Sequence, residues 1–127
     1  MFTALFPILT TADLGAALRF YRDLLGAKVT YEFAGPDGEP GYVGLELGSS
    51  HLGIGRDPSA APEPSAHFSL WVYADDCDAA VERLRAGGVK VVEEPADQPW
   101  GERIARVLDP DGNHVIVGQR ADVGPVP

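Results

Sequence analysis

Sulfur and positive charge are both scarce in this chain. There is one cysteine, Cys77, among 127 residues, so no internal disulfide can form and a disulfide scaffold is excluded. That agrees with a reducing compartment, and the cytoplasm is the expected location. Lys and Arg number 10 against 19 Asp and Glu, a formal charge of −9. A field of that sign repels nucleic acid and anionic membranes and attracts cations. Long apolar runs are missing as well. None approaches the roughly 18 residues of a membrane span, and positions 1–10 hold no Lys or Arg to open a secretory leader. Neither nucleic acid nor a membrane is therefore an expected partner. Nor is there a Gly-x-Ser-x-Gly elbow, a P-loop, a Gly-x-Gly-x-x-Gly turn after a strand or a His-Glu-x-x-His pair. What remains is an ordinary globular composition, 45% hydrophobic and 23% charged, in a chain long enough for one well-buried core.

Two amphipathic helices stand out. Over residues 14–25, Leu14, Leu18, Tyr21 and Leu25 recur at helical spacing, with Asp13 as N-cap and Gly26 as the stop. Over Cys77–Ala86, Cys77, Ala80, Val81 and Leu84 share a face, with Asp75 or Asp76 as cap and Gly87-Gly88 behind. A short apolar strand precedes each helix, at 6–10 and 68–73. Three strand-like runs follow each, at 28–34, 42–47 and 51–55, then at 89–93, 103–108 and 114–118. Asp109-Pro110-Asp111-Gly112-Asn113 reads as a hairpin turn. The two helix stops, Gly26 and Gly87, lie 61 residues apart, which predicts a duplicated βαβββ unit and an α+β fold. Module one is expected at about 5–56, a proline-rich linker at 57–65, module two at about 66–119 and a flexible tail at 120–127.

These features, with Phe20-Tyr21 and Leu25-Gly26 around the first helix and the Asp-Pro-Asp-Gly-Asn turn near the end, resemble the glyoxalase/bleomycin-resistance/dioxygenase group, the vicinal oxygen chelate superfamily. The resemblance covers about 5–119. It implies two βαβββ modules and a homodimer with grooves at the interface. In metal-dependent members four strands each supply one His, Gln or Glu ligand. The matching positions here are Phe6, the 53–55 stretch of Gly and Ile, His67 and Ile116, so one donor of four remains. The resemblance therefore runs toward the metal-free bleomycin-resistance branch, whose members sequester an antibiotic unchanged. Phe6-Pro7-Ile8-Leu9 resembles its opening strand, where a proline accompanies exchange of the N-terminal arm between protomers. Leu70-Trp71-Val72 resembles its tryptophan-bearing strand, and Asp97-Gln98-Pro99-Trp100-Gly101 its groove-lining loop.

The residue chemistry points the same way. Strand alternation puts Val29, Tyr31 and Phe33 on one face with Thr30 and Glu32 on the other, and groups His67, Ser69, Trp71 and Tyr73. Flat rings suit a flat ligand, stacking being worth roughly 0.5–1.5 kcal/mol per pair beyond buried area. The expected ligand is an aromatic or cationic natural product: bleomycin-like, mitomycin-like or an anthraquinone-fused enediyne. Its expected contacts are Trp100, Trp71, Phe33, Tyr31, Gln98, Pro99, Gly101, His67, Tyr42, Glu32, Asp97 and Phe6, with no catalytic residue, metal or cofactor. Glu32, Asp37, Glu39, Glu46 and Asp97 are the acidic residues expected to face the ligand or rim its groove. Three rivals stay open. A lyase, isomerase or ring-cleaving dioxygenase of this fold needs a metal site rebuilt from His67, Glu46 and His51. A metal-free enzyme would use His67 as general acid or base, and an interaction domain would bind no small molecule. His51 and His114 are expected at the surface, and Cys77 is expected to be a small buried residue.

Overall fold

The computed structural model describes residues 1–64 and 67–121. The expected tail beyond 121 and the junction at 65–66 lie outside the described residues. The chain divides into two compact units, Met1–Pro62 and the residues from Glu63 onward. In the first, β1 (Ile8–Thr11) leads into α1 (Leu14–Leu18), which continues as a π-helical turn over Arg19–Leu24, followed by β2 (Lys28–Ala34), β3 (Pro40–Leu47) and β4 (Ser50–Arg56). In the second, β5 (Leu70–Tyr73), α2 (Cys77–Ala86), β6 (Val91–Asp97), β7 (Arg103–Leu108) and β8 (His114–Gln119) repeat the order. The sheets run β1-β4-β3-β2 and β5-β8-β7-β6. In each, the first strand lies parallel to the last and the remaining pairs are antiparallel. The expected α+β fold of two βαβββ modules is what the chain adopts.

Each helix begins on an aspartate. Asp13 accepts a hydrogen bond from the Ala16 N–H at 3.0 Å and Asp76 one from Ala79 at 3.1 Å, satisfying amides that have no partner in the first turn. Each then ends on a glycine in the left-handed region, Gly26 at φ 89° and Gly88 at φ 88°. Gly87 keeps a negative φ of −83°, so the matching stops are Gly26 and Gly88, one residue further apart than the sequence implied.

One face of each sheet is closed by its helix. Val43, Leu45 and Ile54 are buried with Leu14, Ala17, Phe20 and Tyr21, and the Phe20 and Tyr21 rings meet edge to face with centroids 4.7 Å apart. Val107, Val115 and Val117 are buried with Cys77, Val81 and Leu84. Each large apolar side chain so buried contributes roughly 1.5–3 kcal/mol. The opposite face of each sheet is left open.

The strand boundaries differ from expectation in instructive places. β1 starts at Ile8 because Pro7 has no N–H to give a ladder; its carbonyl still accepts from Gly53 N at 2.9 Å. β5 starts at Leu70, leaving His67 and Phe68 ahead of it and exposed. β6 is displaced to Val91–Asp97, with irregular pairing around Pro95, so Asp97 is a strand residue. The helix expected over 14–25 widens in its second half, where Leu25 N donates to Phe20 O at 3.0 Å.

Candidate ligand-binding site

The open face of the first unit follows from the register. Tyr42 pairs with Phe33 on one side and Gly55 on the other, and Gly44 with Tyr31 and Gly53. Ile8 is beside Gly53 in the parallel ladder. Ile8, Tyr31, Phe33 and Tyr42 therefore share the face away from α1, and all but half-buried Tyr42 are exposed. The Tyr31 and Tyr42 rings meet at 6.1 Å in an edge-on arrangement, and the Tyr42 hydroxyl end lies over Gly53, in the space a β-carbon there would fill. Glu46 and His51 are directly opposite each other at the end of the same face.

In the second unit Trp71 pairs with Ile116, Tyr73 with Gly118, and Gly118 with Ile104. The neighbouring positions are Glu102 and Arg120, just beyond the Arg103–Gln119 pair. The β6–β7 connection is a tight turn: Gly101 N donates to Gln98 O at 3.0 Å, and Gln98 N to Glu102 O at 2.7 Å. Pro99 presets the φ of its first corner and Gly101 closes it at φ 99°, which holds Trp100 out on a stiff tip, 57% exposed. The Trp100 indole donates to Glu102 Oε1 at 2.7 Å. The Tyr73 hydroxyl titrates above its ordinary range, chiefly through its interaction with Glu102 and then through burial. The Glu102 carboxylate thus holds the Trp100 indole and acts on Tyr73. The Trp71 and Tyr73 rings lie 5.9 Å apart, and the Arg120 guanidinium sits 4.0 Å above the Tyr73 ring.

Most of the expected contact residues fall into these two groups, Tyr31, Phe33 and Tyr42 in one unit and Trp71, Trp100, Gln98, Pro99 and Gly101 in the other. Gln98 spends its side-chain amide on its own Ala96 carbonyl at 3.2 Å. Phe6 precedes β1 and is 47% exposed. Three expectations are corrected. A bulge at Thr30 moves Val29 opposite Leu45, on the helix side, so Val29 does not share a face with Tyr31. Glu32 pairs with buried Val43 and therefore lies on the helix side, away from the open aromatic face. Asp97 pairs with Arg103 and accepts from its Nη1 at 3.1 Å on the side of α2, where Asp78 holds the rest of the guanidinium at 2.7 and 3.0 Å. Asp37, one of the acids expected at the rim, is bound to Arg56 at 2.6 Å. His67 is exposed and outside any strand. His114, expected at the surface, is half-buried with its Nδ1 enclosed and unpartnered among the described residues.

Tyr73 was placed on the aromatic face but not among the expected contacts, and Glu102 and Arg120 were not expected as contacts. Strand parity carried the signal, because Glu102 stands two residues before Ile104 and two after Trp100.

A family profile described as Glyoxalase/Bleomycin resistance protein/Dioxygenase superfamily matches residues 4–117. The chain belongs to that superfamily. An uncharacterized protein of Mycobacterium tuberculosis is 29% identical over 125 residues, covering 91% of this chain and 74% of its own. The anthracycline biosynthesis protein DnrV of Streptomyces peucetius is 36% identical over 107 residues, 82% of this chain but 36% of DnrV. Among solved structures, a bleomycin resistance determinant encoded on transposon Tn5 superposes with a TM-score of 0.68 at 23% identity, covering 96% of this chain and all of that one. That likeness shows the shared fold.

Superfamily membership makes the donor set informative. At the positions that hold metal ligands in its metal-dependent members, Phe6 and Ile116 carry no donor atom. Ile116 is buried beside Trp71 and Arg106, and Gly53 and Gly55 have no side chain. Glu46 and His51 are neighbours, yet among the described residues no three His, Cys, Asp or Glu side chains cluster as a metal site. Of the four positions expected to carry ligands, His67 alone has a donor side chain. No helix among the described residues is long and apolar enough to cross a membrane.

Proposed function

We propose that this chain is a metal-free binding protein that holds an aromatic or cationic natural product and sequesters it unmodified. The observation that carries the reading is the open face of the second unit, where Trp71 and Tyr73 lie side by side next to apolar Ile116 and the Glu102 carboxylate holds the Trp100 indole. Rings supply stacking area and the carboxylate favours a positive charge. The names of two similar proteins, one concerned with anthracycline biosynthesis and one with bleomycin resistance, put aromatic antibiotics first among candidates. A second copy of the chain is the proposed partner, supported by Met1, Phe2 and Leu5, which are almost fully exposed ahead of Pro7. A soluble role in the cytoplasm goes with this reading.

The test is a tryptophan-fluorescence titration of chelator-treated protein with bleomycin, mitomycin C and daunorubicin, followed by recovery and weighing of the ligand. Saturable quenching at one ligand per chain with unchanged mass is the expected result. A changed mass would make the chain an enzyme. Activity restored by a divalent metal would point instead to the Glu46–His51 pair as the start of a rebuilt centre. Sedimentation velocity of the full chain and of a variant lacking residues 1–6 tests the pairing, with a dimer expected for the first and a monomer for the second.

A further inference from the structure

At the mouth of the second unit's open face the chain has already placed a cation on an aromatic ring. The Arg120 guanidinium lies 4.0 Å from the centroid of Tyr73, in the geometry of a cation–π contact. Glu102, whose Oε1 accepts the Trp100 indole N–H at 2.7 Å, lies near enough to Tyr73 to raise the pKa of its hydroxyl. The two other arginines on this sheet are committed elsewhere, Arg103 to Asp78 and Asp97 and Arg106 to Glu93. Arg120 alone of the three has no carboxylate within ion-pair distance among the described residues, and it is exposed at the end of β8. Its shown contact is the Tyr73 ring, whose face would attract a foreign cation equally well.

We infer that Tyr73, Glu102 and Trp100 form a subsite for a planar organic cation, and that Arg120 fills it in the free chain and is displaced when such a ligand binds. This rests on the binding function proposed above and narrows it: the ligand carries a fixed positive charge on or beside its ring system. Arg120 then acts as an internal competitor. It keeps the ring covered while the site is empty and lowers affinity for neutral aromatics less than for cations. Glu102 is the specificity-determining residue, since it is the carboxylate that holds the Trp100 indole and acts on Tyr73.

A pair of probes of nearly one shape separates charge from stacking: 1-methylquinolinium and 1-methylnaphthalene, titrated against the intact protein by tryptophan fluorescence. Arg120→Met keeps the aliphatic stem and removes the charge. It is expected to bind the quinolinium roughly three- to fivefold more tightly, with little change for the naphthalene. Glu102→Gln keeps an acceptor for the Trp100 indole and is expected to weaken the quinolinium about tenfold while sparing the naphthalene. Quinolinium binding that neither substitution alters would overturn the subsite and leave the binding function standing. Equal effects on both probes would reduce Arg120 and Glu102 to structural roles. Failure of both probes to bind any variant, with the antibiotics also unbound, removes the binding function and this inference together.

Discussion

The Trp71 indole lies over Gly118 of the adjacent strand, so close that a β-carbon at Gly118 would stand 2.8 Å from Nε1 and 3.1 Å from Cε2. The missing side chain is what lets the indole settle onto the sheet beside Ile116, with its ring 5.9 Å from that of Tyr73. Gly118→Ala must therefore lift the ring. The expected cost is about 1–2 kcal/mol of stability, as for other overpacked positions. The tryptophan near-ultraviolet dichroism should change and any quinolinium affinity fall. Alanine tolerated with unchanged dichroism would mean that Trp71 is not held by this contact.

Arg103 ties the first turn of α2 to the end of β6 through Asp78 and Asp97. Its hydrogen bonds hold the Asp78 carboxyl below its ordinary value of 3.8. A carboxylate depressed in the folded state adds stability that is complete above its unfolded value and disappears as pH falls through the folded one. Urea unfolding midpoints should accordingly hold steady from pH 7 to about pH 5 and drop below pH 4. In Arg103→Gln the midpoint should be lower at pH 7 and the acid-side drop shallower. A variant that follows the wild-type profile in parallel would show that the ion pair is too screened to matter.

Asp109 is the anchor of the β7–β8 turn. Its carboxylate, 6% exposed, accepts from the backbone N–H groups of Asp111 and Asn113 at 3.0 and 2.8 Å and from the Asn113 amide at 3.0 Å. Asp109→Ala leaves those donors without an acceptor and should cost about 2–3 kcal/mol, whereas Asp109→Asn, which keeps one oxygen, should cost about half as much. Thermal unfolding of the two variants checks the order. Equal losses would locate the effect in the turn backbone instead of its hydrogen bonds.

The duplication was legible because its signals are local. Asp caps, apolar residues at helical spacing and glycines past each helix are read from a few neighbours, and they located both helices and the strand order around them. What sequence alternation could not supply was parity across an irregularity. Thr30 looks like any strand residue, yet the bulge there reverses the faces of Val29 and Tyr31, and only the β2–β3 register reveals it. Asp97 was misread for a related reason. The strand was expected to end at Glu93, but it continues through Asp97, and the partner of Asp97 is an arginine six residues away whose other partner is on α2. Trp71 and Trp100 were visible as aromatic residues in a strand and a stiff turn. Glu102 was not, because a lone acidic residue at a strand end is ordinary until the turn brings the Trp100 indole onto it.

Cys77 bears on the purely stoichiometric role, because a reactive thiol next to a ligand site would invite covalent chemistry. It is fully buried at the first position of α2, with its Sγ–H directed at the Val117 carbonyl at 3.4 Å and its N–H held by the Gln119 amide oxygen at 2.8 Å. A helix N-terminus ordinarily lowers a thiol's pKa. Here burial raises it first and the neighbouring Asp78 and Asp76 raise it further, against a smaller opposing effect of Arg103. The thiol should therefore stay protonated at neutral pH. In native protein at pH 7.5 iodoacetamide should label it far more slowly than in urea-unfolded protein, at a rate set by opening of α2 rather than by reagent concentration. Cys77→Ser should retain ligand binding but lose stability, since a hydroxyl fills the same buried place less well. Rapid, reagent-limited labelling of the native chain would reverse this and open a covalent mechanism to consideration.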